Sequence, residues 1–287
     1  MSGSASSKCV VCKSSTMSGL SSWHFQCSQC GYEGTSLTPT INDSVAHERV
    51  DEGNREKALR SLRKSSFELI VSRIRSYVPG GSLLDVGSAH GWFLDEAAPY
   101  FKVLGLEPDQ AVFEKAYARG VHVKNGYFPD ALDEGESFDV IVFNDVIEHI
   151  PEIGQALQAV HQRLNAGGIL VLNLPNSRGF FYRLSKFMMR FGFSGPFERM
   201  WQKGLPSPHV HYFDSKNLKM LVERNGFSLM DNFELPSLRS DGLLERIRYV
   251  GKGGAVTTYV QYVILRATIP FLRMFPSDIT VCMFRKV

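Results

Sequence analysis

Four of the five cysteines stand in two pairs, Cys9 with Cys12 in "CVVC" and Cys27 with Cys30 in "CSQC", and fourteen residues separate the pairs. Two intervening residues let both thiolates of a pair face one ion from a tight turn, and two such knuckles complete a tetrahedral four-thiolate zinc site. With cysteine at all four positions none is left open for water, so the predicted zinc is structural and not catalytic. Residues 1 to about 40 carry too few apolar groups to fold without the metal. Two disulfides would need an oxidising compartment, which "MSGSASSKCVVC" does not signal: it has one lysine and no apolar core of secretory length. The fifth cysteine, Cys282 in "DITVCMFRKV", is expected in a buried strand.

A second stretch with chemical potential is "LLDVGSAHGWFL", Leu83 to Leu94, an apolar strand broken at Gly87 and Gly91 before a helix opens. Glycines there let backbone approach a ligand, and the amides of the helix start would face it. Glu107, twenty-two residues after Asp85, ends the next strand, where a carboxylate accepts hydrogen bonds from ribose hydroxyls. A dinucleotide fingerprint counted from Gly87 would want glycine where Ala89 and Trp92 stand, and Trp92 opposes close packing of helix on sheet. Asp85 suits a cationic ligand end better than a diphosphate. Together these features suggest S-adenosylmethionine as the cofactor.

The elements that must position these residues follow from periodicity. Arg55 to Val78 places Leu59, Leu62, Phe67, Ile70, Val71 and Ile74 at helical spacing, ended by "PGG". Beyond it "SLLDVG", "KVLGLEP", "VHVKNG", "FDVIVFND" and "GILVLNLPN" read as strands, separated by the helical stretches "WFLDEAAPYF", "DQAVFEKAYARG" and "PEIGQALQAVHQRLNAGG". Strands without strict alternation, joined through helices, predict a doubly wound α/β domain with a mostly parallel sheet covered on both faces. Asp214 is expected to cap a helix that Gly226 stops, and "FSLMDNFEL" and "DITVCMFRKV" are expected to close the sheet. The boundaries are residues 1–42 for the zinc ribbon and linker and 43–287 for the α/β domain, with an insertion at 177–213.

In that order and spacing, "LLDVGSAHGWFL", "VLGLEP", "FDVIVFNDVIEHIPE" and "LNAGGILVLNLPN" resemble the successive motifs of class I S-adenosylmethionine-dependent methyltransferases. The resemblance implies a Rossmann-like methyltransferase fold with a seven-stranded sheet. It places Asp85, Gly87, Ser88 and Gly91 along the methionine part of the cofactor, Glu107 at the ribose, and Gly126 and Tyr127 beside adenine. Asn144 and Asp145 would stand next to the sulfonium. Family members often carry an acid at the position of Tyr127, so adenine contacts differ here. The cysteine knuckles with "ERMWQKGLPSPHVHYF" further resemble a zinc-ribbon-bearing bacterial subgroup linked to cell-surface saccharide or secondary-metabolite pathways.

Methyl transfer is an in-line displacement from a reactive sulfonium, and a base matters mainly for hydroxyl acceptors. His149 in "VIEHIP" follows the fourth strand, where a neutral imidazole could take a hydroxyl proton or instead orient a loop. His209 and His211 in "SPHVHYF" share one face of an extended segment; two histidines alone do not define a metal site, and His211 is the second candidate base. The insertion carries Arg178, Arg183, Lys186, Arg190, Arg199 and Lys203 with Phe180, Phe181, Phe187 and Trp201, a mixture suited to a phosphorylated or lipid-linked acceptor or to peripheral contact with an anionic membrane surface.

Composition limits the alternatives. A formal charge of +3 argues against a nucleic-acid partner, since phosphate binding concentrates basic residues on one face. Thr257 to Phe275, the most apolar late stretch, is interrupted by Arg266, Pro270 and Arg273 and is not expected to span a membrane. The chain reads as cytoplasmic. O-methylation of a saccharide or related small acceptor is the leading reading; an RNA methyltransferase and a non-catalytic ribbon module on a cofactor-binding scaffold are the alternatives.

Overall fold

The computed structural model describes residues 8–40, 52–238, 243–244, 247 and 254–287. The N-terminal part holds three short strands, β1 (Met17–Ser18), β2 (His24–Gln26) and β3 (Glu33–Thr35), followed by α1 (Glu52–Tyr77). Strands and helices then alternate: β4 (Ser82–Val86), α2 (Trp92–Ala97), β5 (Lys102–Glu107), α3 (Gln110–Ala118), β6 (Val123–Asn125), β7 (Phe138–Asn144), α4 (Ile153–Arg163) and β8 (Leu164–Pro175). The insertion contributes α5 (Phe180–Arg190), α6 (Ser194–Met200) and β9 (His211–Tyr212). The chain closes with α7 (Ser215–Glu223), β10 (Phe227–Leu235), α8 (Ala255–Leu272) and β11 (Ile279–Lys286).

Seven strands form one sheet in the order β10-β11-β8-β7-β4-β5-β6. The pairs among β4 to β8 are parallel, and β11 runs antiparallel to both β8 and β10. This is the expected doubly wound sheet, and the strand order reverses beside β4, where such sheets hold their ligands. The unbroken apolar character of β7 has a simple cause. Ile141 and Phe143 enter the core beneath α4 and α7, Val140 and Val142 the core beneath α1 and α2, and all four are fully buried. In α1, Phe67, Ile70, Val71 and Ile74 cover the second face as their spacing predicts, while the side chains of Leu59 and Leu62 lie outside the described residues.

The junction between α4 and β8 departs from the sequence reading by several residues. The helix expected to run to Gly168 ends at Arg163, because Leu164 already pairs with Phe138 and opens β8. The α7 cap is as expected: Asp214 accepts from the amides of Lys216 and Asn217, and Asn217 Oδ1 accepts from the Asp214 amide. Cys282 is buried in β11. None of the described helices is long and apolar enough to cross a membrane.

The ribbon is built into the domain. β9, from the far end of the insertion, pairs with β3 and completes a four-stranded sheet in the order β1-β2-β3-β9. Tyr182, Phe197, Trp201 and Tyr212 form a separate core packed against Leu20, Trp23 and Leu37. Trp201, expected to supply apolar surface for an acceptor, is therefore fully buried in the ribbon contact, whereas Phe187 is 56% exposed. Aromatic composition alone did not separate these two fates.

Candidate active site

At the end of β4 the backbone turns sharply, with φ of 70° at Gly87, 46° at Ala89 and 76° at Gly91. A Cβ on Gly87 would lie 2.6 Å from Val146 Cγ2, so both conformation and space demand glycine there. Ala89 accepts the left-handed conformation because Glu107 holds it: Glu107 Oε2 accepts from the Ala89 amide at 2.8 Å and Oε1 from the Asp109 amide at 2.9 Å. Each carboxylate oxygen keeps a further lone pair.

A pocket of about 370 Å³ opens beside this bend at the carboxyl ends of β4 to β7. Val86 and Gly87, Leu106 and Pro108, Gly126 to Phe128, and Val146 with His149 to Pro151 line it in turn. Thr38 and Pro39, just beyond the ribbon, complete the wall. Of the residues singled out from sequence, Gly87, Gly126, Tyr127 and His149 line the pocket. Asp85, Ser88, Glu107 and Asn144 are buried beside it, Gly91 packs against Val121, and the half-exposed Asp145 faces Arg63 at 3.6 Å. Thr38, Pro39 and Val146 were missed: the first two sit in what reads as linker, and only tertiary packing brings them over the pocket.

The electrostatics suit a cationic ligand. Asp85 is buried and accepts a hydrogen bond from Asn144 Nδ2 at 3.1 Å. Burial, with Glu107 adding repulsion, pushes its carboxyl up to about 7. Burial likewise raises Glu107. Ser88 Oγ is buried without a hydrogen-bond partner, and the pocket wall is largely apolar. An acid, an orphaned hydroxyl and an apolar slot fit the amino-acid end and the base of S-adenosylmethionine.

His149 and His211 have different surroundings. The Pro208 carbonyl accepts from His149 Nδ1 at 2.9 Å, which leaves the lone pair on Nε2; burial lowers the pKa of the ring, so the imidazole is neutral. His211 is not brought to the pocket. Its Nε2 donates to the Ile150 carbonyl, its Nδ1 accepts from the Tyr32 hydroxyl, and burial holds it down to about 4. The ring ties the ribbon to the loop after β7.

At the other end of the ribbon the sulfurs of Cys9 and Cys30 lie 3.5 Å apart and those of Cys12 and Cys27 3.4 Å apart. All four fall within 4.8 Å of one another. A tetrahedral zinc with arms of about 2.3 Å spaces its sulfurs by about 3.8 Å, so the cluster fits the ion.

Fold and pocket thus define an α/β enzyme domain that takes a nucleoside-bearing cofactor at the ends of its parallel strands. Residues 54–232 match the methyltransferase domain family, and the chain belongs to that family. It is 32% identical over 98 residues to the ubiquinone biosynthesis O-methyltransferase of Paramagnetospirillum magneticum, covering 32% of this chain and 39% of that one. A protein of the same name from Rickettsia canadensis is 25% identical over 197 residues, covering 62% of this chain and 84% of its own length. The chain therefore spans about two fifths of the first of these relatives and most of the second. A SAM-dependent methyltransferase from Thermotoga maritima superposes with a TM-score of 0.53 at 17% identity over 82% of this chain and 97% of its own, a likeness of fold.

Proposed function

We propose that the protein transfers a methyl group from S-adenosylmethionine to a hydroxyl of a small acceptor, a saccharide or lipid-linked saccharide. The observation that carries this reading is the pocket at the carboxyl ends of β4 to β7, with Glu107 behind its bend and the neutral His149 in its wall. When bound, the cofactor supplies an electrophilic methyl group on a sulfonium. Asp85 would pair with the ammonium end, Glu107 would accept from the ribose hydroxyls, and the apolar wall would exclude water. His149 Nε2 would take the acceptor's proton as the methyl group arrives. The O-methyltransferase names of the two relatives support a hydroxyl acceptor.

The acceptor class draws support from a larger groove of about 810 Å³ that begins beyond β8, lined by Arg178, Arg183, Lys186 and Arg190 among Phe180, Leu184 and Phe187. Cationic and apolar side chains in alternation suit an amphiphilic, anionic acceptor held at a membrane surface. A structural zinc would be held by Cys9, Cys12, Cys27 and Cys30.

The test is turnover of methyl-labelled cofactor against a panel of saccharide, lipid-linked and aromatic hydroxyl acceptors, with RNA as a control. A positioned base contributes about 10² to 10⁴-fold, so His149→Ala should lower kcat by that factor while cofactor affinity, measured by calorimetry, stays near wild type. A kcat close to wild type would remove the base role; methylation of RNA alone would replace the acceptor.

A further inference from the structure

We propose that Glu148, His149 and His209 form a second metal site, distinct from the cysteine cluster, that takes a divalent transition ion such as zinc or cobalt. Glu148 and His209 come from segments some sixty residues apart, and the fold places both next to His149. His149 Nε2 and His209 Nε2 each lie 3.9 Å from the same oxygen, Glu148 Oε1. The two imidazole centroids are 4.8 Å apart. Edges of a tetrahedron with arms of about 2.1 Å are about 3.4 Å, so the two edges to Glu148 Oε1 are each roughly half an ångström too long, and all three ligand atoms lie within 4.8 Å of one another.

The unmet polar demand at this point indicates a ligand. Glu148 is fully buried, and neither of its carboxylate oxygens has a hydrogen-bond partner. His209 is buried too. A buried carboxylate is expensive unless a cation or hydrogen bonds satisfy it. The two imidazoles do not bond Glu148, since 3.9 Å exceeds a hydrogen bond. An ion would satisfy the carboxylate and take the Nε2 lone pair of His149, and it would displace the Gln202 amide N–H from that of His209. His149 is already oriented as a ligand, because its Nδ1 donates to the Pro208 carbonyl and directs Nε2 inward. Gln202 Nε2 stands 2.9 Å from His209 Nε2; rotation of that amide would offer its oxygen as a fourth donor. Two imidazoles and one carboxylate favour a transition ion over magnesium or calcium.

His149 lines the cofactor pocket, so the ion would sit at its wall. Resting on the hydroxyl-acceptor reading, the consequence is that the acceptor oxygen binds the ion and its O–H becomes more acidic. Its proton leaves to solvent, the oxygen forms the new bond to the methyl carbon, and the C–S bond breaks to release S-adenosylhomocysteine. Without the ion, the His149 imidazole remains as base.

Cobalt(II) titration of the full-length, metal-stripped protein tests the site. The cysteine cluster gives thiolate-to-metal charge-transfer absorption, and a nitrogen and oxygen site gives only weak visible bands. Two equivalents are expected, the second lost in Glu148→Gln and in His209→Ala, with the charge-transfer absorption of the first retained. Retained charge transfer also reports that the ribbon of each variant is folded. A single equivalent in the wild type, or a second one unaffected by both substitutions, overturns the proposal. Calorimetry with S-adenosylmethionine runs in parallel. Cofactor binding without a second cobalt removes this site and leaves the methyltransferase reading intact, whereas a second cobalt without cofactor binding removes the reading and keeps the site.

Discussion

The ribbon and the seven-stranded sheet are stabilised by different mixtures of contacts. The sheet buries apolar side chains on both faces, so β7 and β8 are held mainly by hydrocarbon and backbone pairing. The ribbon has three strands of two or three residues each, and polar groups attach it to the domain alongside the aromatic contact of Leu20, Trp23 and Leu37. Buried Glu33 receives His24 Nε2 at 2.9 Å, the Tyr182 hydroxyl at 2.8 Å and Lys186 Nζ at 2.7 Å. Asn217 Nδ2 donates to the Cys30 carbonyl and Arg224 to that of Val11. Apolar burial is non-directional and tolerates repacking, whereas a hydrogen-bonded charge cluster holds one geometry. That geometry carries Thr38 and Pro39 to the cofactor pocket, so a module with little core of its own shapes the site.

Breaking the four-cysteine cluster, where we propose zinc, gives the largest expected effect. A structural zinc is worth about 10–16 kcal/mol to a small module. Cys27→Ser with Cys30→Ser should release the metal, open residues 8–40 to protease and weaken cofactor binding through the lost wall, while the far-UV circular dichroism of the sheet persists. Unchanged proteolysis would show that docking alone holds the ribbon.

Next comes Glu33→Ala. Removing one member of a buried ion pair costs about 3–5 kcal/mol, because Lys186 and His24 lose their partner. Urea unfolding followed at the tryptophans, two of which sit in this contact, should show the loss. Despite burial, the partners of Glu33 hold its carboxyl below the usual range, first His24 and then Lys186. A depressed folded pKa contributes stability above the unfolded value and loses it as pH falls, so the ribbon contact should weaken first in acid.

Asp85 has the reverse sign. Its carboxyl rises from an ordinary 3.8 to about 7, so its favourable contribution is complete below about 4 and is lost as pH climbs through about 7. Asp85→Asn should therefore stabilise the sheet domain more at pH 8 than at pH 5, by on the order of a few kcal/mol, as thermal unfolding at the two values would show. Equal effects at both would contradict the buried-acid account.

The smallest effect is a binding one. Hydrogen bonds to a charged acceptor contribute about 1.5–3 kcal/mol, so Glu107→Ala should weaken S-adenosylmethionine about 10- to 100-fold by calorimetry, with the ribbon's metal content unchanged. Equal affinity in the two proteins would remove Glu107 from the cofactor site.

Local patterns alone determined much of this protein. The cysteine spacing, the broken strand before Gly87, the acid at Glu107 and the Asp214 cap each depend on neighbours within a few residues or on one repeating period, and such features survive projection onto a line. The alternation of apolar runs with helices likewise determined the layers and the place of the pocket. Tertiary structure decided whatever depends on distant segments meeting. His209 and His211 stand two residues apart in sequence, yet one ring faces Glu148 and the other binds Tyr32 and Ile150. Trp201 and Phe187 belong to the same aromatic insertion, yet one is sealed beneath the ribbon and the other faces solvent. Glu148 adjoins His149 in the chain, and only the folded structure shows that its carboxylate is buried without a hydrogen bond. Side-chain chemistry is written locally, but desolvation is set by everything that packs around it.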